Sequence, residues 1–118
     1  MSQNHVFLVG RVGREPRLSK TSSAQAVCNL SVATERQARD VEARRTDWHS
    51  VVCWGALAEV CARHVKTGSM VAVQGRLNYR KWKDDSGQLR FGVDIVAHQV
   101  SFVTAQKEGG DEQNRLVM

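Results

Sequence analysis

Three of the seven aromatic side chains are tryptophans, and each stands among polar or basic neighbours. Trp82 is the clearest case. The stretch Tyr79-Arg80-Lys81-Trp82-Lys83-Asp84-Asp85-Ser86-Gly87 sets an indole between cations, beside a polar turn. A tryptophan in a small β-domain commonly packs in the core. Displayed beside cations, its ring can instead stack on an unpaired nucleobase, contributing about 1–3 kcal/mol per base whatever the base. Arg and Lys would then neutralise phosphates and release counterions. Trp48 and Trp54 are six positions apart, so on an extended strand both point to one face. The chemistry within reach of these residues is reversible stacking and charge pairing.

Bond-making chemistry finds no such constellation. The carboxylates Asp40, Glu42, Asp47, Asp84, Asp85 and Asp94 show no acid–base pairing, and Asp84 and Asp85 fit a turn. His49 and Ser50 are adjacent, so on a strand they face opposite ways and cannot act as base and nucleophile. Gly10-Arg11-Val12-Gly13 has the spacing of the backbone-clamping loop of KH domains, but it ends a strand instead of joining two helices. No phosphate-binding loop occurs. Cys61-x-x-His64 could share a helix face, yet no second pair at ligand spacing accompanies it. Neither an enzyme nor a metal or other cofactor is expected.

The formal net charge of +5 favours a polyanionic partner. Residues 1–105 hold 15 Lys and Arg against 9 Asp and Glu, whereas 106–118 hold 2 against 3. The basic excess therefore sits in the part expected to fold. At 118 residues the chain is one domain, long enough to bury roughly two-thirds of its unfolded surface without metal or disulfide. Three scattered cysteines, Cys28, Cys53 and Cys61, with no C-x-x-C, fit a reducing compartment. No apolar run is long enough for a bilayer and no signal segment opens the chain, so a cytoplasmic location without a membrane partner is expected.

The elements that must position these side chains follow from periodicity. Asn4 to Val12 alternates, with Val6, Leu8 and Val12 on one face and Phe7, Val9 and Arg11 on the other, which predicts a strand covered on both sides; Pro16 closes that segment. Ala26 to Thr34 reads as a half-buried strand with Ala26, Cys28, Leu30 and Val32 inward. Glu35 to Arg45 reads as a long basic loop. In the next strand Trp48, Ser50, Val52 and Trp54 share a face, opposite His49, Val51 and Cys53. Ala56 to Val65 predicts a short helix with Leu57, Val60, Cys61 and His64 on one stripe, stopped at Lys66-Thr67-Gly68. Ser69 to Lys83 and Leu89 to Ala97 form a hairpin around Asp84-Asp85-Ser86-Gly87. In its first arm Val71, Val73, Leu77 and Tyr79 make an apolar row, with Arg76, Asn78, Arg80 and Trp82 opposite. One helix between the third and fourth strands of an all-β chain is the layout of the OB-fold, a five-stranded Greek-key barrel. The expected domain is 1–105, followed by a short disordered tail at 106–118.

Taken in order, several stretches resemble the bacterial single-stranded DNA-binding protein family. They are Asn4-His5-Val6-Phe7-Leu8-Val9-Gly10, Cys28-Asn29-Leu30-Ser31-Val32-Ala33-Thr34, Thr46-Asp47-Trp48-His49-Ser50-Val51-Val52, Trp54-Gly55-Ala56-Leu57-Ala58-Glu59-Val60, Lys66-Thr67-Gly68-Ser69, Val73-Gln74-Gly75-Arg76-Leu77 and Arg80-Lys81-Trp82. The resemblance covers roughly residues 3 to 104. It implies an OB-fold that assembles as a homotetramer and binds single-stranded DNA without sequence preference in replication, recombination or repair, close to the nucleoid. It implies Trp48, Trp54 (often Phe in the family) and Trp82 as stacking residues, Arg80 and Lys81 as phosphate contacts, and His49 as a subunit-interface histidine. With the basic and polar neighbours, the expected DNA-binding set is Trp48, Trp54, Trp82, Arg80, Lys81, Lys83, Arg76, Asn78, Arg44, Arg45, Arg11 and Lys66. Three departures stand out. Glu35 to Arg45 lacks the family's further tryptophan, Ser50 and Ala56 replace common basic residues, and the glycine-rich linker with its acidic tip is missing, so tip-mediated docking of repair and replication proteins does not carry over. The alternatives to DNA binding as the main task are an accessory acting through protein partners and an oligomerisation module.

Overall fold

Alternating side chains close this chain into a barrel. The computed structural model describes residues 1–37, 39, 42 and 44–103; the tail expected at 106–118 lies outside the described residues. The elements are β1 Val6–Val12, β2 Arg17–Lys20, β3 Ala26–Glu35, β4 Thr46–Trp54, α1 Gly55–His64, β5 Met70–Lys83 and β6 Leu89–Val103. β1 pairs antiparallel with β5, β5 with β6 and β3 with β4, while β4 meets β6 in parallel at Val51↔Ile95 and Val52↔Val96. β1 returns to β3 at Arg11↔Ala33 and Val12↔Val32, closing a ring of five strands with one helix before β5: the OB-fold. β2 continues along the same edge of β3, from Arg17↔Asn29 to Lys20↔Ala26, so β1 and β2 are two pieces of one interrupted edge. Pro16 sits in the break between the two pieces, after β1 has ended and directly before β2. A proline just before a strand leaves no ladder N–H missing, and all four β2 residues are exposed, which erases any alternation.

The core is aliphatic and thiol-rich. Val12, Cys28, Leu30, Val32, Val51, Cys53, Val71, Val73, Ile95 and Val100 fill the barrel, and Ala58, Cys61 and Val65 close one end. Burial of each large aliphatic side chain contributes about 1.5–3 kcal/mol. No aromatic ring is among the buried residues described. The three cysteines are free and buried, with the Cys53 and Cys61 sulfurs 3.9 Å apart. Burial above all, with Cys61 close by, pushes the Cys28 thiol up to about 11. The thiol of Cys61, together with burial, pushes Cys53 up as well.

Two expectations shift. The buried residues of α1 are Ala58 and Cys61, continued by Val65 at its C-cap and flanked by Leu57 and Ala62, rather than Leu57, Val60, Cys61 and His64. Small side chains at 58 and 61 let the helix approach the barrel on that side, leaving His64 exposed beside Phe102. β1 is covered on one face only: Val6, Leu8 and Val12 pack inward, while Phe7 and Val9 are exposed.

β5 and β6 outrun the barrel. β1 pairs with β5 only as far as Gly75, and β4 pairs with β6 only at Ile95 and Val96. Beyond Leu77 and Ile95 the two strands pair with each other alone, as a two-stranded arm. Its tip is fastened by Asp84, whose Oδ1 accepts the Ser86 N–H (3.0 Å), the Ser86 hydroxyl (2.7 Å) and the Gln88 N–H (2.9 Å). Oδ2 accepts Arg90 Nε at 2.9 Å.

Candidate nucleic-acid interface

The outer face of β4 carries Trp48, Ser50, Val52 and Trp54, as alternation requires. Trp48 is 61% exposed and Trp54 40%. Trp48 lies flat over the β1–β2 break. A Cβ on Gly13 would collide with its ring, reaching Cη2 at 2.6 Å and Ser31 Oγ at 3.2 Å. Only glycine leaves room for the indole to settle there. Ser31 Oγ in turn accepts the Arg14 N–H at 3.1 Å, which fixes the chain beside the ring. Arg14, Asn29, Ser31, Trp48, His49 and Ser50 line an open groove of about 320 Å³.

Trp82 stands on the outer side of the arm, 43% exposed. Arg80 Cζ lies 4.8 Å from its ring centroid, a cation–π contact that holds one face of the indole. Arg80 is itself held by the buried Asp94. Its Nε donates to Oδ2 and its NH2 to Oδ1, the latter at 3.3 Å. Gly92, opposite Arg80 in the ladder, provides the floor: a Cβ there would stand 2.8 Å from the guanidinium NH2 and 3.2 Å from Trp82 Cζ3. Asp94, Arg80, Gly92 and Trp82 therefore form one stack.

Arg76 and Asn78 share the side of Arg80 and Trp82, as periodicity predicts, and Arg76 sits in register with Val96, itself beside Val52 of β4. The outer faces of β4 and the arm are thus continuous across that seam. Lys81 and Lys83 do not lie on the face of Trp82. Their ladder partners are Phe91 and Leu89, on the reverse of the arm. Arg11 is in register with Ala33, which neighbours Trp48, and its NH1 donates to the Gly68 carbonyl at 3.0 Å. Lys66 is exposed in that same turn. Arg44 and Arg45 are exposed in the β3–β4 loop, where Arg45 NH1 donates to the Arg44 carbonyl at 3.1 Å. His49 points inward and shares a 2.8 Å hydrogen bond with Thr34 Oγ1.

Sequence periodicity missed the floors and props: Gly13, Gly92, Asp94 and Arg14. Their signal is faint, because a glycine facing a large ring across a ladder is visible only once the register is known. Among the described residues no group of three or more His, Cys, Asp and Glu side chains is placed to hold a metal, and no helix is long and apolar enough to cross a membrane. What the surface offers is planar rings, cations and a continuous outer face.

The chain is similar to known proteins in sequence and in fold. The single-strand binding protein family matches residues 3–103. A single-stranded DNA-binding protein 1 of Chlorobaculum tepidum is 35% identical over 111 residues, covering 91% of this chain and 68% of its own length. A single-stranded DNA-binding protein of Neisseria meningitidis serogroup A is 37% identical over 113 residues, 92% of this chain and 64% of its own. The chain thus spans about two thirds of the length of these curated relatives. Among solved structures, a Plasmodium falciparum SSB complex with ssDNA superposes with a TM-score of 0.75 at 31% identity, over 81% of this chain and 87% of that one. With nearly all the described barrel inside the matched region, the chain belongs to the single-strand binding protein family.

Proposed function

We propose that this chain binds single-stranded DNA without reading its sequence, by stacking bases on Trp48, Trp54 and Trp82 and pairing phosphates with surrounding cations. One observation carries this: all three tryptophans of the chain stand on the outer surface and none contributes to the core. Large apolar rings held in water lose burial energy, and two of them rest on glycines that keep the place clear. The free face of Trp82 takes a base while Arg80 covers the other. Arg14, Arg76, Arg11 and the loop pair Arg44 and Arg45 supply charge along the track, with Asn78 as a hydrogen-bonding neighbour and Lys66 at its margin. Arg80 acts first as the prop of Trp82, its charge already half-answered by Asp94. The role is non-catalytic, in replication, recombination or repair at the nucleoid.

The bare outer face of β1, with Phe7 and Val9 exposed, supports assembly of several copies, which we take to be a homotetramer with His49 near a subunit contact. The test of DNA binding is a titration with oligo(dT) followed by tryptophan fluorescence. Quenching is expected, reversed by salt with a slope of about −0.7 per neutralised phosphate. Duplex DNA should quench far less. Unchanged emission with oligo(dT) would refute the stacking mechanism.

A further inference from the structure

The reverse of the β5–β6 arm is aromatic and basic too. Alternation turns Tyr79, Lys81 and Lys83 of β5 away from Trp82, in register with Val93, Phe91 and Leu89 of β6. Tyr79 shares the face of Val71, Val73 and Leu77, yet Tyr79 is 73% exposed and Phe91 71%, because the barrel ends before them. Val93 and Leu89 are exposed beside them. Among the described residues, nothing covers the reverse of the arm beyond Leu77 and Ile95. No carboxylate stands on the reverse side: its charged residues are Lys81 and Lys83 alone.

Apolar rings kept in water need an occupant, and the charges choose one. A second copy meeting the same face about a two-fold axis would bring four lysines together, and like charges across a ribbon repel. A polyanion that also offers flat apolar rings answers both features, and the same residue types mark the front of the arm. From these we infer that the reverse of the arm is a second stacking track for single-stranded nucleic acid, with Tyr79 and Phe91 as base platforms and Lys81 and Lys83 as phosphate contacts. This rests on the single-strand-binding function proposed above and extends it: a strand leaving Trp82 turns around the edge of the ribbon and continues behind it. The arm then works as a two-sided spool, which compensates for the aromatic missing from the β3–β4 loop.

A single reporter separates the two sides. In a chain carrying Trp48→Phe, Trp54→Phe, Trp82→Phe and Phe91→Trp, the only indole stands on the reverse of the arm, and none of the four positions is buried. Oligo(dT) longer than about 16 nucleotides, the upper site size of one OB-fold, should quench that indole, and salt should restore it. Tyr79→Ser with Phe91→Ser in the otherwise native chain should weaken binding of the long oligonucleotide about tenfold or more, while native tryptophans still quench. A reporter that stays bright while the anisotropy of a dye-labelled oligo(dT) shows the same chain bound overturns the inference and leaves the front track standing. Native tryptophans that do not quench overturn the parent function instead. A change of molecular mass in light scattering for the double variant would identify the face as a subunit contact, which also overturns the second track.

Discussion

Replacing Asp94 by Asn separates the prop from the phosphate contact. The buried Asp94 carboxylate receives two donors from Arg80, and Arg80 carries the cation–π contact to Trp82. Asparagine keeps the shape but removes the charge and offers one acceptor oxygen where there were two. A hydrogen bond to a charged group is worth about 1.5–3 kcal/mol. The Arg80 side chain is 46% exposed and rehydrates when released, which brings the cost down to about 1–2 kcal/mol. For a domain of this size that lowers Tm by about 4–8 °C at fixed protein concentration. DNA binding then changes in two opposed ways. A released Arg80 pairs with phosphate, which steepens the salt slope by about 0.7. Trp82 loses its prop, at about 0.5–1 kcal/mol or two- to fivefold in affinity once salt has screened the phosphate term. Plots of log affinity for oligo(dT) against log salt should therefore cross for native protein and Asp94→Asn, the variant being weaker at high salt. Parallel lines of equal height would refute the Asp94–Arg80–Trp82 stack as a functional unit.

Gly13→Val drives a side chain into the ring of Trp48, so the indole must leave its bed. The barrel should stay folded by circular dichroism while oligo(dT) affinity falls by about tenfold, the loss of one stacked base; undiminished affinity would show that Trp48 needs no fixed position. The tip of the arm has its own pH dependence. Hydrogen bonds from Ser86 first, then Arg90 and Gln88, hold the Asp84 carboxyl at about 2, below its usual 3.8. A depressed carboxylate stabilises the turn fully above about pH 4. That contribution disappears as the pH falls through about 2, so the amide resonances of Ser86 and Gln88 should be constant above pH 4 and move below it. A titration centred at 3.8 would mean that these bonds are not held in solution.

Alternation was enough to put Trp48 and Trp54 together and to set Trp82 beside Arg76, Asn78 and Arg80, because strand period fixes the side to which a residue points. It says nothing of where the neighbouring strand stops. Tyr79 continues the parity of Val71, Val73 and Leu77, but parity alone cannot show that β1 and β4 end short of it and leave it exposed. Phe7 and Val9 look like core in sequence and stand in water in the fold for a different reason: they point outward from a paired strand, and no described element covers that face. β2 left no trace because four exposed residues have no pattern. The Arg80–Asp94 pair spans fourteen positions and becomes visible only when the ladder places Asn78 opposite Asp94.

The barrel is also a joint. Its β1–β5–β6 sheet and its β3–β4 hairpin are each zipped by long antiparallel ladders. Around the ring the two parts are laddered together only at β4–β6 and at β1–β3, each through two register pairs. Mechanically these are hinges between two stiff leaves, and opening there breaks the shortest ladders in the molecule. Trp48 and Gly13 sit beside one hinge, while Val52 and Val96 bridge the other between β4 and the arm. A polynucleotide laid across both leaves would act as an external suture, and its affinity would be stored as resistance of the closed barrel to unfolding.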